Sequence, residues 1–255
     1  MMTKYPFWVL KSDARRLLKG KWNAVVLALF IPFLLYTAFV VKLTQLLQET
    51  PSLAQQESFF WLQYGVTMGF TVVLELISVG IFRNLQPNRE KASCLNIYAV
   101  GFQNFFKLLP TLLIKVGFPL AMSLLLSSEW TNLFYDYLMF SLMSMETYIV
   151  ILQIVSMLLE ILTLYFTLSL LMVPCILSHR PECGGIAAIK ESFLLSKGNR
   201  IYLVGLSFSF FGWILLGSLA FTIGILWAMA YLETAYFAYY RRLVFHHENI
   251  VEINV

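Results

Sequence analysis

The sequence calls for an all-α fold, a polytopic membrane bundle of six transmembrane helices with short amphipathic helices on its cytoplasmic side. Of its 255 residues 59% are hydrophobic and the mean hydropathy is +0.74. No soluble core of this size could use that much apolar surface. The apolar residues fall in runs of about twenty, the length a helix needs to cross a bilayer core. Such runs lack the alternation of a membrane barrel, and open sheet edges could not satisfy their backbone in lipid. Charge gives the orientation: of eighteen Lys and Arg, sixteen fall in the gaps on one side of a six-span reading. Because basic residues beside short apolar segments stay on the cytoplasmic side, both termini are expected inside.

The first span is read at about 22–42, preceded by Lys4, Lys11, Arg15, Arg16, Lys19 and Lys21. It is too long for a signal-peptide core and no small-residue cleavage site closes it. The second runs about 58–82 and leads into Arg83, Arg89, Lys91 and Lys107. The third and fourth, about 108–127 and 148–177, flank an outer segment whose Trp130, Phe134, Tyr135, Tyr137 and Phe140 suit the aromatic interface. Arg180, Lys190, Lys197 and Arg200 follow on the inner side; a tight turn near 218–221 then joins the fifth span, 201–218, to the sixth, 221–240. Arg241 and Arg242 close that helix, and the tail from His246 is expected to be loose. The whole of 1–255 reads as one integral membrane domain, since the outer loops are too short for another.

Three amphipathic segments, about 5–20, 92–107 and 184–199, each precede a pair of spans. Phe7, Leu10, Leu17 and Leu18 alternate with cations in the first; Ile97, Val100 and Phe105 mark the second, and Ile186, Ile189 and Phe193 the third. The first and third end alike, in Leu17-Leu18-Lys19-Gly20-Lys21-Trp22 and Leu194-Leu195-Ser196-Lys197-Gly198-Asn199-Arg200, with Gly20 and Gly198 as helix C-caps. A three-unit plan of surface helix plus hairpin follows, although the middle unit lacks the Lys-Gly signature. The basic residues expected to face lipid are Arg15, Arg16, Lys19, Lys197, Arg200, Arg241 and Arg242. Their position at span ends favours anionic head groups over nucleic acid as partner, with a membrane-protein partner as the alternative.

Four ionisable residues fall within spans: Glu75, Lys115, Glu160 and Glu233. A lone charge at a span centre costs about 2.5–3.5 kcal/mol, so each needs a partner or a role. Glu75, Lys115 and Glu233 lie equally far from Arg83, Lys107 and Arg241, about 12 Å in from the cytoplasmic edge. If spans two, three and six touch, Lys115 can pair with both carboxylates. Such a cluster serves either as a buried ion pair that sets packing or as a substrate or proton site in a small secondary transporter. The sequence favours the first, since no pathway is visible: Pro110, Pro119 and Pro174 can kink spans but do not recur at matching places. Gly205, Ser207, Ser209, Gly212 and Gly217 suit close helix approach.

No catalytic residues, cofactor or metal site are expected. Nucleophile-elbow and zinc-helix motifs are absent, and Asp13 and Asp136 fall on opposite sides of the membrane. His246-His247-Glu248 reads as a solvated tail, and Cys94, Cys175 and Cys183 as reduced thiols.

One resemblance covers most of the chain. Met172-Val173-Pro174, Ala187-Ala188-Ile189, Glu191-Ser192, Lys197-Gly198, Leu206-Ser207-Phe208, Gly212-Trp213-Ile214-Leu215-Leu216, Ile223-Gly224-Ile225-Leu226-Trp227 and Tyr231, with the Lys19-Gly20-Lys21-Trp22 and Phe105-Phe106-Lys107 stretches, resemble the bacterial membrane family called domain of unknown function 975. Leu162-Thr163 and Ala230 depart from its Pro-Gly step and proline. The resemblance implies a helical bundle in a bacterial cytoplasmic membrane and no assigned activity. The expected role is thus non-catalytic, an accessory or scaffolding factor of the envelope in a class that includes immunity and stress proteins.

Overall fold

A computed structural model describes residues 5–49, 53–86, 93–125, 145–219 and 223–253. Among them every regular element is a helix. In α1 (Phe7–Leu18), Leu10, Ala14 and Leu18 recur every fourth position and are wholly buried, while Arg15 and Arg16 stay exposed. α1 stops where Gly20 takes φ +77°, a left-handed conformation open to glycine without a Cβ penalty. α2 (Trp22–Glu49) and α3 (Leu53–Asn84) follow as the first hairpin.

The second unit begins with α4 (Cys94–Gln103) and α5 (Phe105–Leu112). A π turn at Leu113–Gly117 then leads into α6 (Phe118–Leu125). The return is α7 (Met145–Ser169), a break, and α8 (Val173–His179), which Pro174 opens at a position where a missing N–H costs nothing. The third unit is α9 (Gly185–Ser196), α10 (Arg200–Phe208), α11 (Phe211–Leu219) and α12 (Ile223–Ile253). The tail beyond His246, expected to be loose, is helical as far as Ile253. Trp130 to Phe140, Glu129, Asp136, Arg89 and Lys91 lie outside the described residues.

Among the described residues five stretches are long and apolar enough to cross a bilayer: Trp22–Leu46, Trp61–Asn84, Phe105–Leu124, Glu146–His179 and Arg200–Leu219. They match the first five expected spans. α12, which holds the expected sixth, falls short of that apolarity among the described residues. It carries Glu233, Tyr231, Tyr236, Tyr239 and Tyr240, and Ala235 to Tyr240 are all buried. A helix walled in by protein need not be apolar all round.

The first and third units repeat in detail. Leu10, Ala14 and Leu18 of α1 correspond at one constant offset to Ala188, Ser192 and Ser196 of α9, and all six are buried. Hydrogen bonds from Lys19 N–H to Arg16 O and Lys21 N–H to Leu18 O, at 3.3 and 2.8 Å, recur from Lys197 to Leu194 and Asn199 to Ser196 at 3.2 and 3.0 Å. Gly198, at φ +80°, matches Gly20. In the middle unit a single residue, Asn104, makes the turn instead, and its side chain donates to Val100 O at 2.8 Å.

The three units close on one another. α4 packs along α3, α9 against α8, and α1 along α12, so each amphipathic helix covers the last helix of the unit before it in a cycle. Close approach makes this possible. A Cβ on Gly80 would lie 2.0 Å from the Ile97 carbonyl oxygen, and one on Gly101 2.5 Å from that of Leu76. α11 and α12 meet through Gly217 and Gly224 in the same way, whereas Gly212 faces open space. Tyr98 on α4 donates to Ala28 O at 2.7 Å, tying the second unit to the first.

Candidate functional site

The π turn places Lys115. Pro119, four residues on, has no N–H for the Lys115 carbonyl, and its ring crowds that carbonyl in a regular α-helix. Opening the helix by one residue relieves the clash, and π turns of this kind are frequent at functional sites. The Lys115 ammonium donates to Glu75 Oε1 of α3, and the two side chains keep only 7% and 17% of their exposure. Glu75 Oε2 is buried without a hydrogen-bond partner, as is the hydroxyl of Thr111, one turn before Lys115. Glu233 of α12 lies within electrostatic range of both members of the pair and beside Ser78. Cys175 of α8, wholly buried, adjoins the same three charges.

The expected trio of Glu75, Lys115 and Glu233 thus comes together, with Lys115 bonded to Glu75. Glu160 does not join it: it is exposed on α7, with no hydrogen bond or ion pair among the described residues.

Cations around α1 and the helix ends packed near it divide into two sets. Arg15, Arg16, Lys19 and Lys197 are exposed. Arg242 is held by Asp13, with Nε and Nη2 at 2.7 and 2.6 Å from one carboxylate oxygen, and its guanidinium lies 4.7 Å from the Tyr5 ring centre. Arg200 stacks over Tyr165 at 4.0 Å and donates to Ser169 Oγ at 3.0 Å, so it serves the fold. Lys11 and Lys21 cap helix ends, donating to Ser209 O at 2.6 Å and Asn84 O at 2.8 Å, and burial lowers the pKa of both ammonium groups. Lys107 donates to Pro181 O. Burial disfavours the Arg180 charge, yet the Glu191 carboxylate bonded to it holds its pKa above the ordinary value.

Two clefts open beside α1. One, of about 310 Å³, is lined by Asp13, Arg16, Leu17, Ala238, Arg241 and Arg242. The other, shallower and about 410 Å³, is lined by Ser12, Arg15, Arg16, Lys19, Gly20 and Trp22. Both offer guanidinium or ammonium groups over an apolar floor, a chemistry suited to phosphate on an acyl chain.

The family model described as protein of unknown function (DUF975) matches residues 2–246. The chain belongs to this family. No curated protein and no solved structure matches it. At the two places expected from the sequence to depart from the family, the helices run on: α7 continues unbroken through Leu162-Thr163, and Ala230 lies wholly buried within α12. Three parts of this DUF975 site escaped sequence reasoning. The π turn had a signal in Pro119. Cys175 and Ser78 had none, being one thiol and one hydroxyl in apolar runs.

Proposed function

We propose that this DUF975 protein is a non-catalytic, six-span protein of the bacterial cytoplasmic membrane, with α12 as the sixth span and both termini inside. It acts as an accessory or scaffolding factor of the envelope, in the class that includes immunity and stress proteins. Its inner face grips anionic phospholipid through the α1 clefts. The observation that carries this reading is a contrast in charge use. Lys115 is spent on Glu75 in a covered pair that joins the π turn to α3, whereas Arg16 and Lys19 stand exposed around open clefts, with Arg15 exposed beside them and bonded to Tyr231. A buried pair of this kind sets helix register. Open cations beside a membrane attract its anionic leaflet, each contributing about 1 kcal/mol.

Native mass spectrometry of the detergent-extracted chain tests it. Phosphatidylglycerol should stay bound where phosphatidylcholine is lost, and Arg15→Gln, Arg16→Gln and Lys19→Gln together should release it. Equal retention of both lipids would refute the lipid-gripping role.

A second reading, a small secondary transporter, rests on the π turn, the unbonded Glu75 oxygen and the third charge at Glu233. Proteoliposomes decide between the two. A proton-linked flux that Glu233→Gln abolishes while the protein stays inserted would replace the scaffold with the transporter.

A further inference from the structure

α1 and α9 are the same helix used twice, and the repeat separates what the fold needs from what it does not. At the constant offset that matches their buried faces, Asp13 corresponds to Glu191. Each carboxylate holds an arginine at the end of the helix packed beside it, Arg242 on α12 and Arg180 just after α8. That ion pair belongs to the repeat. Lys19 likewise has Lys197 as its counterpart, but Arg15 and Arg16 stand where α9 carries Phe193 and Leu194. Arg15 reaches the Tyr231 hydroxyl on α12. The side chains of Arg16 and Lys19 make no hydrogen bond or ion pair among the described residues, and both are exposed. Since the third unit builds the same helix with a leucine in its place, the fold does not call for Arg16.

Arg16 is also the one residue that lines both clefts beside α1. Ser12, Arg15, Arg16 and Lys19 are spaced three and four apart, so they share the face that forms the shallower cleft. Asp13, Arg16 and Leu17 form the next face around the helix, which opens on Ala238 and Arg241. Arg16 therefore stands on the ridge between two cationic clefts. Asp13 neutralises one of the three guanidiniums in the deeper cleft, and no acidic residue lines the shallower one. A single phosphodiester, with one charge, answers one cleft and leaves the other. We propose that the two clefts together take one lipid with two phosphates, a head group of the cardiolipin type in which a glycerol joins two phosphodiesters, with one phosphate on each side of Arg16. This rests on the lipid-gripping reading and names the lipid. The planar guanidinium of Arg16 presents separate N–H groups to the two sides, so it bonds both phosphates at once. Because the phosphates are linked, the second binds as an intramolecular step, and the pair holds more tightly than two separate head groups. Trp8, 71% exposed on α1 in line with Ser12, Arg15 and Lys19, and the floor of Leu17, Ala238 and Trp22 give acyl chains an apolar surface that a free diphosphate leaves unused.

Native mass spectrometry of the detergent-extracted full chain, titrated with each lipid at matched phosphate, tests the assignment. Cardiolipin should bind wild type about tenfold or more tighter than phosphatidylglycerol. Arg16→Gln should cut that margin to about twofold, the advantage of carrying two phosphates without a shared anchor. It should leave phosphatidylglycerol preferred over phosphatidylcholine, because each cleft keeps other cations. Lys197→Gln, the counterpart of Lys19 outside both clefts, should leave the margin unchanged. Phosphatidylglycerol held as tightly as cardiolipin, or a margin that survives Arg16→Gln, would overturn the two-phosphate assignment while sparing the broader reading. Equal retention of phosphatidylcholine would overturn both. Inorganic pyrophosphate separates the two sources of linked phosphate: displacement of cardiolipin by it at equal concentration would give the clefts to a soluble diphosphate and overturn the lipid.

Discussion

At the scale of single residues, the pair of Lys115 and Glu75 gives the sharpest expectation. Lys115→Met leaves the Glu75 carboxylate buried without its cation, and breaking a covered pair from one side costs on the order of 3–5 kcal/mol. Thermal unfolding in mild detergent should register that loss. Adding Glu75→Leu should recover most of it, because two apolar side chains leave no charge stranded. Failure of the double variant to recover would mean that Glu233 depends on Lys115 as much as Glu75 does. Tyr98 offers a pH test. Burial pushes its phenol up from 10.0 to about 12. A group whose folded pKa is raised contributes stability that is complete below the unfolded value and lost as pH rises through the folded one. Wild type should therefore lose stability between pH 10 and 12 more steeply than Tyr98→Phe, measured as melting temperature against pH. This pair was legible from Glu75 and Lys115 lying at equal depth from Arg83 and Lys107. The turn that presents Lys115 was not, since proline marks where a helix departs from regularity without saying how.

Among the elements, the amphipathic helices set the terms. Gly20 and Gly198 end α1 and α9 in the left-handed region, and a Cβ at either would meet nothing within 4 Å. Alanine there carries a purely conformational cost of about 1–2 kcal/mol at each site. At Gly80 the cost has another origin, for its Cβ would lie inside the Ile97 carbonyl. Because backbone cannot yield as a side chain can, Gly80→Ala should cost more than Gly20→Ala and should detach α4 from α3. Hydrogen exchange confined to 94–103 would reveal the detachment, and uniform exchange would contradict it. The matching ends of α1 and α9 were visible in sequence because glycine and lysine advertise a helix stop. That α4 ends on Asn104 was not, since an asparagine among apolar residues carries no comparable mark.

For the molecule as a whole, the cycle of units explains how the chain ends come to share one face. α1 lies on α12 through Asp13 and Arg242 and through Tyr231, which donates to Lys11 O at 2.9 Å, while Tyr202 of α10 sets its ring against Phe7 at 5.0 Å. Apolar runs made the five strongest spans readable. The sixth span, 221–240, was read from a run of the same kind, but α12 falls short of that apolarity among the described residues, because its tyrosines and Glu233 dilute the run. If α12 crosses the bilayer, α1 and the Arg241 end of α12 must lie on one side, and the contact between Asp13 and Arg242 requires the same. Cytoplasmic reporters fused at residue 2, between α3 and α4, and after Val255 should therefore all be active, and periplasmic reporters there silent. Lys21, which caps α3 at Asn84, and Lys107, which donates to Pro181 O in the turn after α8, bind the first two units to that same face. A silent cytoplasmic reporter after Val255, with the others active, would leave α12 as a helix lying within the bundle without crossing. The contact between Asp13 and Arg242 would then have to break, so Asp13→Asn would cease to affect stability.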